Sequence, residues 1–343
     1  MKRRAWSFMK KIINNGADVV NEMISGYVSA YSRYYERIGD INAFVYKNRR
    51  RNKVSLVIGG GSGHEPLFSG FCGAGMADAV ANGNIFASPN PQLICETAKA
   101  VDEGKGVLFI YGNYAGDNMN FDMGEELCDF EDIKTAHVRV WDDFASAPKE
   151  RITDRRGIAG DVYVIKIAGA ACDAGLSLEE VVRITEKARD NISTIGLATA
   201  PGTHPVTGEL TFELPDDAIE YGMGLHGEPG VERTTMRPAN ELTERMFREI
   251  MAEMKLQAGE EIAVLVNGLG STTILELCVV YNRLGQLLSE AGIKVHDCEL
   301  KSFCTCQEMS GFSITFLRLD DELKKYYDTP CSTPYYARGA IEA

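Results

Sequence analysis

The sequence predicts an α/β protein of two layered domains, each with a mixed or largely parallel sheet flanked by helices. Two short segments, Val54–Ile58 and Val107–Tyr111, are almost continuously apolar, which is typical of strands buried on both faces of a sheet. Helical patterns alternate with such segments, and this alternation favours a layered α/β architecture. The length of 343 residues suits two domains, which we place at residues 1–195 and 196–343.

In the first domain, apolar residues at helical spacing in residues 9–34 predict a short helix, a break at Gly16 and a longer amphipathic helix. Two further strands are predicted at His137–Trp141 and Asp161–Ile167. Helices are predicted over three segments that alternate with the strands: Pro91–Glu103, Asn120–Asp129 and Leu178–Asn191.

The second domain begins with a predicted strand at Thr194–Ala200, which a segment rich in Pro and Gly ends. The turn Asn267–Gly270 leads into a helix that we expect to start at Ser271 or Thr272, because both residue types cap helices well. The other predicted elements are a helix at Asn240–Leu256 and strands at Glu261–Val266, Ile293–Leu300 and Phe312–Leu319.

Composition excludes several classes of protein. A net charge of −13 disfavours non-specific binding to nucleic acid, and the basic residues Lys2–Arg4 and Arg49–Arg51 are local, solvated clusters. No apolar run approaches the ~18 residues of a membrane span. Nine cysteines without a CxxC pair, and no signal peptide, predict reduced thiols and a cytoplasmic protein.

The stretch VIGGGSGHEP follows the strand Val54–Ile58 and resembles a nucleotide-binding loop, but it fits no such motif. Counted from Gly59, the sixth position of a dinucleotide fingerprint is His64, and no window supplies GxxxxGK[ST]. Backbone without side chains lets a small ligand approach closely, with His64 at the mouth of the strand. The alternative is a tight turn with a surface histidine.

A second glycine-containing loop, with Gly112, Asn113 and Asp117, follows the strand Val107–Tyr111. Loops after adjacent strands of an open α/β sheet meet in one crevice, so His64 and Asp117 are expected to face each other and to share acid–base work on a hydroxyl. On spacing alone, it is equally plausible that Asp117 or its neighbour only caps the following helix.

The third candidate is His226, which glycines flank on both sides in GMGLHGEPG. Its neutral imidazole could act as a nucleophile toward a carbonyl carbon. A metal site with Glu228 and His204 is the competing interpretation, but no HxH, HxxxH or HExxH spacing exists, and we expect no metal. Two other histidines lie in apolar strand patterns and are interpreted as structural: His137 and His296.

Together these motifs resemble one family. GGGSGHEP, NYAGDNMNF, RRGIAG with KIAGAA, TIGLA, GMGLHGEPG, VNGLGST and EMSGFSITFLRLDDEL occur here in the order seen in dihydroxyacetone kinases. The resemblance is to the substrate-binding subunit, or first domain, of these kinases. It extends from about Met9 to about Tyr327, nearly the whole chain.

The resemblance implies a role for each candidate residue. His226 would bind the ketone carbonyl of dihydroxyacetone covalently, as a hemiaminal. Asp117 would take the proton from the terminal hydroxyl, and His64 would hydrogen-bond the substrate. The backbone of the glycine segment, chiefly Gly61, would line the pocket. The substrate-binding residues would be Gly60, Gly61, Ser62, Gly63, Gly112 and Asn113.

The resemblance also implies partners. The nucleotide, ADP or ATP with Mg²⁺, would be bound by a helical domain or a separate subunit, and this chain would bind no cofactor itself. A homodimer is expected. One departure concerns Gly112, because many relatives have a substrate-contacting lysine there. A longer ketose such as erythrulose is therefore an alternative substrate, and a ketose-binding co-activator of transcription is an alternative function.

Overall fold

A computed structural model describes residues 11–339. Its helices, in chain order, are α1 (Val19–Ala30), α2 (Pro91–Lys99), α3 (Ala115–Phe130), α4 (Asp161–Asp173), α5 (Leu178–Asp190), α6 (Ala239–Met254), α7 (Ile274–Glu290) and α8 (Asp321–Tyr327). Its strands are β1 (Tyr35–Arg37), β2 (Ala43–Tyr46), β3 (Ser55–Ser62), β4 (Ala79–Ile85), β5 (Val107–Gly112), β6 (Thr135–Val140), β7 (Ile192–Ala200), β8 (Ala218–Tyr221), β9 (Glu232–Thr235), β10 (Glu261–Gly268), β11 (Lys294–Lys301), β12 (Ser310–Leu319), β13 (Cys331–Ser332) and β14 (Ala337–Arg338).

The strands form two six-stranded mixed sheets, which confirms the predicted α/β class. The first sheet has the order β1-β2-β4-β3-β5-β6, with parallel pairing from β4 through β6. The second has the order β11-β10-β12-β7-β8-β9, and only β10 and β11 pair in parallel. Strand β7 belongs to the second sheet, although its first residues lie before the predicted domain boundary at residue 195. The division into domains at 1–195 and 196–343 stays a prediction.

Helix α4 is the main difference from the sequence prediction, which placed a strand at Asp161–Ile167. Every residue of α4 except Asp173 is buried, and one core cluster holds α4 together with Leu56 from β3 and Leu265 from β10. A helix buried on all sides has no polar face, so a short part of it has the same apolar pattern as a buried strand. The prediction was wrong because α4 joins the cores of both sheets.

The ends of other elements also differ. Residues 11–16 form no helix, so the predicted short helix before Gly16 is absent there; residues 9–10 and the basic cluster Lys2–Arg4 lie outside the described range. Helix α7 is capped by Thr273 in a capping box with Glu276, not by Ser271 or Thr272. The Thr272 hydroxyl instead donates to the main-chain oxygen of Gly311, at 2.5 Å.

The remaining predicted strands and helices are present with small shifts of their ends. Helix α3 begins at Ala115 rather than at Asn120, so Asp117 lies in its first turn. Strand β3 continues to Ser62, so the glycines after Ile58 belong to a strand and the turn starts only at Gly63. None of the helices between residues 11 and 339 is long and apolar enough to cross a membrane.

Because α4 contributes to a core shared by both sheets, we expect Ile165→Ala to destabilise the fold strongly. Ile165 is fully buried, and truncating a buried isoleucine costs about 2–5 kcal/mol. Leu275→Ala is the matched control, because Leu275 is 69% exposed and an exposed truncation changes stability by about 0.5 kcal/mol or less. Urea unfolding of both variants tests this; equal losses would contradict the central role of α4.

Candidate active site

The loops that carry His64 and Asp117 lie at one edge of the first sheet, as predicted. β3 and β5 are adjacent and parallel, so their carboxyl ends meet. β3 ends at Ser62, whose hydroxyl donates to the main-chain oxygen of Gly83 at 2.8 Å. β5 ends at Gly112, and α3 starts three residues later.

The glycines of β3 allow an adjacent segment to pack directly on the strand. A Cβ at Gly60 would overlap the Phe68 ring, and Cβ atoms at Gly61 and Gly63 would lie 3.1 Å and 2.6 Å from atoms of Phe86. Gly63 also has a φ of +106°, a conformation that L side chains rarely adopt. Gly61 and Gly63 therefore allow Phe86 to pack closely against this segment. Contact of the glycines with a ligand stays a prediction.

His64 is a buried neutral histidine with one free acceptor. It is 2% exposed, and its Nδ1 lies 2.7 Å from the main-chain oxygen of Thr305. Because a carbonyl oxygen only accepts, Nδ1 donates and Nε2 keeps its lone pair. Nε2 is buried and has no hydrogen-bond partner among the described residues. Burial, with the nearby His226, lowers the pKa of His64 to about 3.

His226 follows β8 and faces His64, with the two ring centroids 4.6 Å apart. Its Nδ1 lies 2.9 Å from Glu228 Oε1, and its main-chain N–H donates to Glu228 Oε2 at 2.9 Å. Burial alone would raise the pKa of Glu228, but the hydrogen bond and charge of His226 outweigh it and lower this pKa to about 2. An ionised carboxylate only accepts, so Nδ1 of His226 donates to Glu228.

Asp117 does not cap the helix, and one of its two carboxyl oxygens has no partner among the described residues. The cap residue of α3 is Tyr114, without a side-chain cap bond, and Asn118 donates to Asn113 Oδ1 at 2.8 Å. Oδ1 of Asp117 is buried and has no partner in the described part of the chain. Burial raises the pKa of Asp117 to about 6, although a hydrogen bond from Ser88 and the charge of His226 act in the opposite direction.

Asn113 holds the loop between β5 and α3 in place. Its side-chain amide donates to the main-chain oxygens of Thr153 and Arg155, both at 2.7 Å. Both side-chain amide protons of Asn113 are therefore used in these two hydrogen bonds. Contact of Asn113 with a ligand stays a prediction.

Three residues of the site were missed by sequence reasoning, and a fourth was assigned another role. The Phe86 ring lies 5.1 Å from the ring of His64 and 5.8 Å from that of His226, and the Tyr114 ring lies 4.9 Å from that of His226. Thr305 binds His64 from a distant part of the chain. Glu228 was considered only as a metal ligand, although its place two residues after His226 was a usable signal.

The other histidines have structural partners. Nδ1 of His204 accepts from the main-chain N–H groups of Val206 and Thr207, both at 3.2 Å. His137 and His296 each pair with carboxylates, as expected of structural histidines. Within residues 11–339, no group of three His, Cys, Asp or Glu side chains is placed to hold a metal ion.

The fold and the site define an α/β protein in which a carboxylate-bonded imidazole lies beside a neutral second imidazole, with a buried carboxyl group within electrostatic range. The Dak1 domain model matches residues 25–335. The chain belongs to the Dak1 domain family, as the order of its motifs predicted.

Three similar proteins place the chain within this family. It is 44% identical, over 96% of this chain and 99% of the other, to the protein named PTS-dependent dihydroxyacetone kinase 2, dihydroxyacetone-binding subunit DhaK, of Listeria innocua. The structure of the dihydroxyacetone kinase operon co-activator Dha-DhaQ is 28% identical with a TM-score of 0.87, covering 93% of this chain and 98% of that one. The dihydroxyacetone kinase of C. freundii is 28% identical with a TM-score of 0.85, covering 96% of this chain and 60% of that one.

The geometry of His64 yields a prediction about its protonation. A pKa of about 3 keeps its ring neutral from pH 8 to about pH 4, with the proton on Nδ1. Nitrogen-15 NMR of the imidazole rings should show one histidine with constant shifts over this range, and His64→Ala should remove that signal. A His64 signal that titrates near pH 6.5, the ordinary value for histidine, would contradict the assigned environment.

Proposed function

We propose that this protein is the substrate-binding subunit of a dihydroxyacetone kinase. It captures a short ketose on His226 and presents the terminal hydroxyl of that ketose for phosphorylation by a partner. The observation that carries the proposal is the placement of His226, whose Nδ1 donates to Glu228 at 2.9 Å and whose ring lies 4.6 Å from that of neutral His64. The names and coverage of the similar proteins support the same function.

Capture is a reversible addition to the carbonyl. The Nε2 lone pair of the neutral His226 ring would form a bond to the carbonyl carbon, and the π electrons of the C=O bond would move to its oxygen, which takes a proton from water. The ring would return its Nδ1 proton to water while Glu228 stays ionised, so the protons balance and the product is a neutral hemiaminal. A short polyol has little apolar surface to bury, so a covalent bond adds affinity and excludes glycerol, which has no carbonyl.

Asp117 is suited to be the base for the terminal hydroxyl. Its pKa of about 6 leaves the carboxylate ionised at neutral pH yet basic enough to accept a proton, as efficient general bases require. Nε2 of His64 lacks a partner among the described residues, so it would accept a hydrogen bond from a substrate hydroxyl.

The phosphoryl donor would be held by a partner. No window of the sequence has the GxxxxGK[ST] pattern, and the match covers only 60% of the C. freundii kinase chain. The partner would be a helical subunit with ADP or ATP and Mg²⁺, with or without a phosphohistidine relay. We also propose a homodimer, and a cytoplasmic location in which the nine free cysteines stay reduced.

A ketose-binding co-activator is the second candidate, and the TM-score of 0.87 to Dha-DhaQ favours it. Such a protein needs capture by His226 but no base for the terminal hydroxyl. The buried carboxyl group of Asp117, whose Oδ1 has no partner among the described residues, favours the kinase subunit, because capture at the carbonyl does not use this acid.

Removal of the nucleophile tests capture. With a ketose labelled with carbon-13 at the carbonyl, the wild-type protein should replace the ketone NMR signal with that of a tetrahedral carbon, and His226→Ala should not. His204→Ala is the control, because His204 lies at the same pocket edge, 5.5 Å from the Phe86 ring, and should retain the adduct. An undiminished adduct in His226→Ala would remove the proposed function.

Removal of the base tests transfer. With a nucleotide-carrying partner, Asp117→Asn should lower turnover by about 10²–10⁴-fold, while the hemiaminal signal persists. Because the base must be ionised, wild-type turnover should fall as the pH drops through about 6, the pKa of Asp117. The isolated chain with ATP and Mg²⁺ is the background control and should transfer no phosphate. Normal turnover in Asp117→Asn would favour the co-activator.

A further inference from the structure

Arg156 is a charged residue that the catalytic scheme does not use, although it lies next to the segment that carries His226. This segment, residues 222–228, follows β8 and contains no helix or strand. The side chain of Arg156 is 14% exposed, and that of its partner Asp143 is fully buried. A buried ion pair is weak evidence for stability, so the role of this pair is sought in what Arg156 holds in place.

The guanidinium group of Arg156 joins the two halves of the chain at the start of this segment. Its Nε donates to Asp143 Oδ2 at 2.9 Å, and Asp143 lies shortly after β6 of the first sheet. Its Nη2 donates to the main-chain oxygen of Gly222 at 3.1 Å, directly after β8 of the second sheet. Because the N–H of Gly222 also donates to the main-chain oxygen of Gly196, at 2.8 Å, Gly222 is fixed from two sides.

The third guanidinium nitrogen, Nη1, lies close to Glu228 at Gly224. A Cβ at Gly224 would overlap Oε2 of Glu228 and would lie 2.5 Å from Nη1 of Arg156. The two charged groups are therefore neighbours, although no direct salt bridge joins them. Within residues 11–339, Nη1 has no hydrogen-bond partner, so this end of the guanidinium group acts on Glu228 through its charge.

Glu228 is the residue that orients the imidazole of His226. Its Oε1 accepts from Nδ1 of His226 and its Oε2 accepts from the main-chain N–H of His226, both at 2.9 Å. A positive charge near Oε2 favours the ionised carboxylate that accepts both bonds. Arg156 therefore acts on His226 through two other residues: it holds Gly222 by a hydrogen bond and Glu228 by its charge.

We infer that Arg156 is a positioning residue for His226. Through Gly222 and Glu228, it holds the imidazole at the place where this ring meets the carbonyl carbon of a ketose. The inference rests on the ketose capture proposed above and adds a residue that acts on the nucleophile from outside its own segment. Because residues 222–228 form no helix or strand, a chain without Arg156 has to order them when the ketose binds, and this ordering lowers the affinity.

A neutral exchange of the ion pair tests the inference. Arg156→Gln alone would leave the Asp143 carboxylate buried without its partner, which is strongly destabilising, so the double variant Asp143→Asn/Arg156→Gln replaces both charged groups by amides. In a titration with the ketose labelled with carbon-13 at the carbonyl, the hemiaminal signal of this variant should show an affinity about tenfold or more below that of the wild-type protein. Wild-type affinity in this variant, whatever its melting temperature, would overturn the inference.

The adjacent ion pair provides the matched control. Arg155 pairs with Glu253 of α6 at 2.9 Å and is 4% exposed, and it also joins the two halves of the chain. The double variant Arg155→Gln/Glu253→Gln makes the same exchange of charged groups for amides, but at α6 rather than at the segment that carries His226. It should keep the wild-type affinity for the ketose. An equal loss of affinity in both double variants would show a general effect of removing a buried ion pair and would overturn the inference.

Nitrogen-15 NMR of the ligand-free protein distinguishes positioning from general stability. In Asp143→Asn/Arg156→Gln, the imidazole signals of His226 should change, because the bond of Nδ1 to Glu228 is no longer held in place. The signals of His64 should stay, because its Nδ1 is bonded to Thr305 instead. Changes in the signals of both histidines would indicate a general loss of structure and would overturn the positioning role.

The ligand-free signals also separate this inference from the proposed function. If the wild-type protein forms no hemiaminal, the proposed function fails, but a change confined to the His226 signals still shows that Arg156 positions this ring. If the wild-type protein forms the hemiaminal and Asp143→Asn/Arg156→Gln captures the ketose equally well, only the inference about Arg156 fails.

Discussion

The hydrogen bond between His64 and Thr305 is the interaction on which the site depends. It joins the end of β3, in the first sheet, to the segment before β12, in the second. The main-chain N–H of Gln307 donates to Gly63 at the same junction, at 3.1 Å. These bonds fix the tautomer of His64 and bring the second half of the chain against the glycine strand. The candidate site therefore lies where segments of the two sheets meet, and α4 packs in the core that both sheets share.

His64 and His226 differ in their chemistry because their Nδ1 atoms have different hydrogen-bond partners. His64 is bonded to a neutral carbonyl and is almost fully buried, so it stays neutral and acts as an acceptor. His226 is bonded to the carboxylate of Glu228, which can stabilise positive charge that develops on the ring as Nε2 attacks a carbonyl. The division of roles thus comes from the atoms that face each Nδ1, one a carbonyl oxygen and the other a carboxylate oxygen.

Much of this arrangement could be predicted from the sequence, and the failures have a physical cause. Apolar runs and glycine breaks located β3, β5 and the loops with His64 and Asp117, because these signals are local. Thr305 could not be found, since 241 residues separate it from His64 and only the folded chain brings them together. Helix α4 was mistaken for a strand because burial on all sides removes the polar face by which a helix is recognised.

The pocket holds several polar atoms that the folded chain itself leaves without partners. Within the described residues, these buried atoms include His64 Nε2, Asp117 Oδ1 and Tyr114 OH. Each one destabilises the empty protein, because a buried polar group without a hydrogen bond loses its contact with water and gains nothing in return. The polyhydroxylated ligand of the proposed function would supply the missing partners on binding. Recognition in such a pocket therefore depends on the number and position of hydroxyl groups, because apolar area contributes little to the affinity of a ligand this small.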